Sequence, residues 1–521
     1  MTQNLRDALA RRLEALSDAD VIRRVWERDP TVWVDDPATP ELKDRLGWLS
    51  LFPQMRRDLH EVTRFAEEVR EEFDRVILLG MGGSSLAPEV MWRTFGRNPR
   101  FPPFQMLDST APEAVIEVER GGDPGRTLYI VASKSGTTLE TMSFFRYFWR
   151  QSGGRGDHFV AITDGDTPLA RLGAEQRFRR VFLNPTDIGG RYSALSLFGL
   201  VPAALMGVDV GKLLDRGEEM ARRCGPDVPV ESNPGAWLGA LMAETAIAGR
   251  DKLTLVLTPG IAGFGLWVEQ LVAESTGKGG KGIVPVVMEP PRAPGHYVDH
   301  RLFVVQSLGR QLDPRLERWM HAVARNGHPV AWAPLDDPYD LGGEFFCWEF
   351  ATAVAGAVLR INPFNQPDVA ESKQATKRVL AERRGLDPVA QLRRHDITAF
   401  LEGVSARDYV AVLAYHAPSK EADERVAAFA GALRDRLAGV VTWGYGPRYL
   451  HSTGQLHKGG PPTGHFVQLV GDAAVDRPVP GEDYSFGELL RAQALGDYEA
   501  LVARKRPVLR VTDPESFLEQ V

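Results

Sequence analysis

A lone carboxylate, Glu274, stands in the run LVAESTGKGGKG from Leu271 to Gly282, among small residues and glycines and just ahead of Lys278 and Lys281. Glycines let a backbone come close to a ligand, and lysines favour an anionic one. A carboxylate held beside a bound phosphate ester suits a general base acting on a sugar. Taken alone, the segment reads equally as an acidic helix end followed by a loop.

Other segments offer what such a base would need. SKSGTT sets the hydroxyls of Ser133, Ser135, Thr137 and Thr138 beside Lys134, after an apolar run and ahead of a helical one. The free N–H groups and dipole of a helix start favour an anion there, a phosphate monoester above all. Its bland counterpart is a hydroxyl-rich helix cap. GMGGSS, Gly80 to Ser85, holds Gly83 and Ser84 in the same strand-to-helix position. It is neither GxGxxG nor a lysine-bearing phosphate loop, which argues against dinucleotide and ATP binding.

GGRYS places Arg191 behind Gly189 and Gly190, where a guanidinium either pairs with a carboxylate or stabilises an oxyanion. NPFNQPDVAESK runs from turn residues into a helix near Lys373, whose default reading is a solvated face. HSTGQLHKGGPPTGH groups His451, His457 and His465 with no cysteine nearby and no zinc spacing, so no metal is expected. No GxSxG elbow appears, which leaves serine hydrolysis without support.

These segments need a scaffold, and the chain is long enough to provide one. Its 521 residues are 43% hydrophobic and 25% charged, the balance of a globular protein with a sizeable core. At roughly 150 residues per domain they make about two to four domains. A net charge of -7 argues against nucleic acid or anionic membrane as partner while allowing a local basic pocket. Cys224 and Cys347 are the only cysteines, so no disulfide framework is implied and a reducing, cytoplasmic setting fits. The start, MTQNLRDALARRLEALSDAD, reads as a charged amphipathic helix, and no apolar run reaches the length of a membrane span.

Strand-like and helix-like stretches alternate. RVILLG, LYIVA, HFVAITD and RRVFLN form one block. KLTLVLT, a helix through Glu269, GIVPVVM, RLFVVQSL and HPVAWAPL form a second; YVAVLAYH, VVTWGYG, HFVQLV and RPVLRVT form a third. This alternation predicts an α/β architecture of mainly parallel sheets flanked by helices. Linkers are expected at Arg222 to Pro234 and Asp387 to Asp408.

The segments GMGGSSLAPEV, SKSGTTLET, GGRYSALSLFGLVPA, EQLVAESTGKGGKG, FNQPDVAESK and LHSTGQ, taken together, resemble the signatures of the glucose-6-phosphate isomerase family from near residue 80 to near residue 455. EFFCWEFATAVAGAVLRINPFNQPDVAESK and LHSTGQLHKGG look closest to the isomerase half of transaldolase/glucose-6-phosphate isomerase fusion proteins. DPTVWVDD and LGWLS are similar to the segment that follows the barrel there, but no barrel precedes them, and transaldolase activity is not expected.

The resemblance implies a helical leader over 1–74 and sugar-isomerase domains over 75–221 and 235–386. An α/β segment over 408–521 would pack on the second domain. It also implies aldose–ketose isomerisation between glucose-6-phosphate and fructose-6-phosphate through an enediol(ate), in glycolysis and gluconeogenesis, with no cofactor. By the same resemblance Glu274 is the base, Arg191 the enediolate stabiliser, and His451 and Lys373 the ring-opening pair. Ser133, Lys134, Ser135, Thr137, Thr138, Gly83, Ser84 and Gln366 would bind the substrate, a hexose phosphate. A homodimer is expected, because many family members complete the site with a partner's residue.

Two features depart from the usual family pattern. His451 follows Lys373 in the chain, leaving His300 and His457 as rival histidines, and Thr276 replaces the asparagine or glutamate before the glycine. The other readings are an isomerase of broader hexose-phosphate specificity and a non-catalytic sugar-phosphate sensor.

Overall fold

The computed structural model describes residues 3–382, 394–437, 439–471 and 473–520. Three sheets, parallel throughout, organise it. The first contains β1 (Arg75–Gly80), β2 (Phe104–Leu107), β3 (Thr127–Ala132), β4 (Phe159–Asp164) and β5 (Arg180–Asn184) in the order β2-β1-β3-β4-β5. The second contains β6 (Lys252–Leu257), β7 (Val284–Val286), β8 (Arg301–Leu308) and β9 (Val330–Leu335) in the order β7-β6-β8-β9. The third contains β10 (Tyr409–Tyr415), β11 (Val440–Tyr445), β12 (Gly464–Val470) and β13 (Val508–Val511) in the order β11-β10-β12-β13.

Successive side chains of a strand point to opposite faces, so a run that is apolar throughout must be covered on both. In β1, Val76 and Leu78 enter the large cluster that holds the leader helices, while Ile77 and Leu79 enter another. That other cluster also holds Tyr409, Ala411 and Leu413 of β10, Val284 and Val286 of β7, Ala273 and Leu450. On β10's opposite face, Val410, Val412 and Ala414 join a separate core with Phe429 and Leu433. The C-terminal sheet therefore shares buried apolar surface with the first sheet as well as with the second.

The leader helix Gln3–Asp18 buries Leu5, Leu9, Leu13 and Leu16, the spacing that lines one helical face. The helix Leu341–Leu359 is apolar on every side and buried accordingly, packed between the helices Pro234–Ile247 and Val210–Arg223. Among the described residues no helix is long and apolar enough to cross a membrane.

The strand stretches read from the sequence all form strands; β2 is the addition. FQML is only four residues long, with a half-buried middle, so it lacks the continuous apolar signature of its neighbours. The helix after β6 runs from Phe264 to Thr276, past Glu269, and carries Glu274 in its last turn. Thr276 makes that extension possible: its hydroxyl donates to the carbonyl of Val272 at 2.8 Å and accepts the N–H of Ile283 at 2.9 Å. Between Arg222 and Pro234 the chain is anchored, with Cys224 and Val230 buried. Of the expected linker from Asp387 to Asp408, residues 387–393 lie outside the described residues, and Arg394–Glu402 forms a helix.

Candidate active site

In the first sheet the strand order reverses between β1 and β3, and ligands of parallel sheets sit at the carboxyl ends of strands beside such a reversal. GMGGSS leaves β1 and SKSGTT leaves β3, so topology alone brings these loops together. A Cβ on Gly83 would lie 2.0 Å from the carbonyl oxygen of Gly190, which fixes the first loop against the turn that carries Arg191. Gly82, at φ +54°, meets the backbone of His451 in the same way. Ser84 is buried in that turn.

The hydroxyls of SKSGTT pair with one another: Ser133 with Thr138 at 2.9 Å, and Ser135 with Thr137 at 3.0 Å. None of them caps the helix Leu139–Gln151, whose N-terminus opens onto the loop. The loop is thus more than a helix cap. A cavity of about 160 Å³ lies there, lined by Ser135, Thr137, Thr138, Glu140, Lys373, Lys377, His451 and Gln493 among others. Lys134 does not line it; its ammonium contacts Asp164 and donates to the carbonyl of Thr186 at 2.9 Å.

His451 comes from the turn Arg448–His451 after β11, at the carboxyl end of the third sheet. Its Nε2 lies 3.0 Å from Glu140 Oε1. Gln493 donates to the same oxygen at 2.7 Å and accepts from Thr110 at 2.7 Å. Burial pushes the Glu140 carboxyl upward, but the charge of His451, its hydrogen bond and Lys373 together hold it below its ordinary value. An ionised Glu140 orients the ring.

The rival histidines are elsewhere. His457 is buried against Phe466, Tyr409 and Tyr449, and burial pushes it well below the usual imidazole range. His300 precedes β8, at the amino end of its sheet, facing the carbonyl of Gly249. His465 faces Asp408 at 3.4 Å. Among the described residues no group of His, Cys, Asp and Glu is placed to hold a metal ion.

On the other side of the His451 backbone lies Glu274. Gln270, one helical turn before it, donates to Glu274 Oε2 at 3.0 Å and to the carbonyl of His451 at 2.7 Å. A carboxylate in the last turn of a helix faces the negative end of the dipole and needs a cation. Arg191 supplies it, with Nη1 donating to Glu274 Oε1 at 3.1 Å. The remaining donors of Arg191 reach Gln366 Oε1 at 2.8 Å, Ser275 Oγ at 2.7 Å, and the carbonyls of Pro363 at 2.7 Å and Asn365 at 3.0 Å. Lys278 and Lys281, read from the sequence as favouring an anion, donate instead to the carbonyls of Asn362 and Leu359. They tie the loop after Glu274 to the segment that holds Arg191.

The phosphoglucose isomerase family model matches residues 53–283. The chain is 27% identical over 412 residues to the glucose-6-phosphate isomerase of Carboxydothermus hydrogenoformans, covering 67% of this chain and 88% of that one. It is 29% identical over 390 residues to that of Thermus thermophilus, covering 64% and 90%. Over these spans the chain is similar to the phosphoglucose isomerase family. Its fold is shared with a hypothetical protein of Thermus thermophilus, at a TM-score of 0.62, 24% identity, and coverage of 72% of this chain and 97% of the other. It is shared too with a glucose-6-phosphate isomerase of Chlamydia trachomatis, at 0.59, 19%, and 72% and 86%.

Several residues at this site escaped the sequence reading. Lys377 lies four residues past Lys373 on one helix, the spacing that puts both on one face, so a helical projection finds it. Glu140 follows SKSGTT within the first helical turn. Gln270 stands four residues before Glu274, again on one face. Gln493 and Thr110 carry no local signal; only the packing of the third sheet against the first brings them to Glu140.

Proposed function

We propose that the chain interconverts glucose-6-phosphate and fructose-6-phosphate, with Glu274 as base and His451 as ring opener. The observation that carries this reading is the bridge made by Gln270. It joins the Glu274 carboxylate to the backbone of His451, and His451 lines the cavity that holds the hydroxyl loop. The carboxylate proposed as base thus stands one glutamine away from the turn whose imidazole faces the cavity and its hydroxyl loop.

The phosphate rests on Ser135, Thr137, Thr138 and the N-terminus of Leu139–Gln151, neutralised by Lys373 and Lys377. His451, oriented by Glu140 and assisted by Lys373, moves a proton between the anomeric hydroxyl and the ring oxygen, opening the ring. Glu274 takes the proton from C2 of the aldose, and the electron pair becomes the enediolate with its charge on O1. The hydroxyl proton of O2 passes to O1, the proton held by Glu274 returns at C1, and O2 becomes the carbonyl, so that every proton is accounted for. Arg191 Nη1, shared between Glu274 and Gln366, is the donor whose partners the enediolate oxygen replaces.

Purified chain is expected to convert fructose-6-phosphate to glucose-6-phosphate and to exchange substrate C1 or C2 hydrogen with deuterated solvent. Binding of fructose-6-phosphate with no exchange would sink the enzyme reading in favour of a sensor, and mannose-6-phosphate run in parallel measures breadth. Lys377→Met should raise KM for fructose-6-phosphate by about 10-fold with kcat close to the parent, the effect of losing one charge-assisted contact to phosphate. An unchanged KM would remove Lys377 from the phosphate site.

One chain supplies Glu274, Arg191, Gln366, Lys373 and His451. Mixtures of the inactive variants Glu274→Gln and His451→Ala are therefore expected to recover no activity. Recovery in the mixture would mean that a histidine is shared between copies.

A further inference from the structure

Arg448 opens the short turn that ends in His451, and its largely buried side chain lies between two carboxylates. Its guanidinium contacts Glu89, in the first turn of the helix after GMGGSS, and its Nε lies 3.3 Å from Asp108 Oδ2, just beyond β2. Arg93 donates to Glu89 at 2.8 Å, and Ser85 Oγ lies 3.2 Å from Asp108 Oδ2. Arg93, Arg448, Glu89 and Asp108 thus form a cluster of balanced charge directly beneath the GMGGSS loop. Three elements meet in it: the loop helix, the end of β2 and the His451 turn.

We propose that Arg448 is a positioning residue for His451, fastening its turn to the first sheet so that the imidazole stays on Glu140. Other contacts on that turn act elsewhere: Gln270 holds the His451 carbonyl, and Tyr449 donates to Asp497 at 2.6 Å. Neither reaches the first sheet or its loop helix; Arg448 does, through Glu89 on the helix after GMGGSS and Asp108 at the end of β2.

The arrangement carries a pH dependence. Burial pushes the Asp108 carboxyl up to about 6, against the hydrogen bond from Ser85 and the charge of Arg93. Below that pH Asp108 takes a proton and Arg448 keeps only Glu89, which Arg93 already shares. The fastening should then loosen as pH falls through about 6.

This inference rests on His451 being the ring-opening group, and its test reads the imidazole separately from turnover. Arg448→Ala, Arg448→Lys and Asp108→Asn would be assayed for kcat and KM from pH 5 to 8. Each would also be labelled at histidine ring nitrogens, with the His451 signal assigned by its loss in His451→Asn. Arg448→Ala is expected to lose about 10- to 100-fold in kcat, the cost of about an ångström of misplacement, with KM little changed. Arg448→Lys should recover part of it, as should added guanidinium.

In Asp108→Asn the decline near pH 6 should flatten, and in all three variants the His451 ring signals should shift or broaden. Unchanged kcat, pH profile and His451 signals in folded Arg448→Lys and Asp108→Asn would overturn the proposal, whether or not Arg448→Ala folds. Altered signals in a chain with no isomerase activity would uphold the positioning role while refuting the reaction.

Discussion

Glu274→Gln is expected to lower isomerisation by about 100- to 10,000-fold, the range in which a positioned general base contributes. The substitution keeps the shape of the side chain, and its oxygen still accepts from Arg191 Nη1. Its new amide faces the Gln270 nitrogen that donated to the lost oxygen, so that hydrogen bond goes while Gln270 keeps the His451 carbonyl. Stability should therefore fall by about 1 kcal/mol, and fructose-6-phosphate should still bind, since the loop Ser133–Thr138 and Lys373 are untouched. What disappears is exchange of the C1 and C2 hydrogens with solvent. A variant that turns over at the parental rate would move the base elsewhere, with Glu140, which lines the cavity, the next carboxylate to test.

Arg191→Ala should damage both stability and rate. The guanidinium is almost wholly buried, at 2% side-chain exposure, and Glu274 beside it is at 10%. Removing it leaves a buried carboxylate unpaired at a helix C-terminus and frees the carbonyls of Pro363 and Asn365. Breaking a buried pair from one side costs about 3–5 kcal/mol. Turnover should fall by about 100- to 1,000-fold from the lost enediolate donor.

The two effects separate in a double variant. Arg191→Ala with Glu274→Gln no longer buries an unpaired charge, so it should be more stable than Arg191→Ala alone by about 1–3 kcal/mol. Strict additivity in denaturant melts would show that the pair is not energetically coupled. Arg191→Lys should fall between parent and alanine, because an ammonium keeps the charge but cannot serve acceptors spread around a planar fork.

Much of this architecture is legible in the sequence because β1, β3, β4, β6, β8, β10 and β12 are buried on both faces and so read as unbroken apolar runs. β2 is missed because four residues with a half-buried middle leave too little pattern to distinguish from loop. Around the site, loops between a strand and a helix announced themselves through glycine and hydroxyl content, and they lie where parallel-sheet topology places them. Side chains that act across sheets did not. Gln493 and Thr110 reach Glu140 only through packing between the first and third sheets, and Arg448 reads as one more arginine until Glu89 and Asp108 are seen beside it. The helix that carries Glu274 outruns its sequence pattern for a different reason. Ser275 and Thr276 are weak helix formers on propensity, and the bonds that Thr276 makes act against that preference.

Ala273 and Leu450 belong to one buried apolar cluster, and each adjoins a residue of the site, Glu274 and His451 respectively. The chain beside each of them is therefore held in close-packed hydrocarbon, in addition to the bridge through Gln270. Such packing does not deform gradually; it holds its spacing until it melts. On heating, catalytic competence should persist nearly undiminished and then vanish together with the cooperative loss of that cluster.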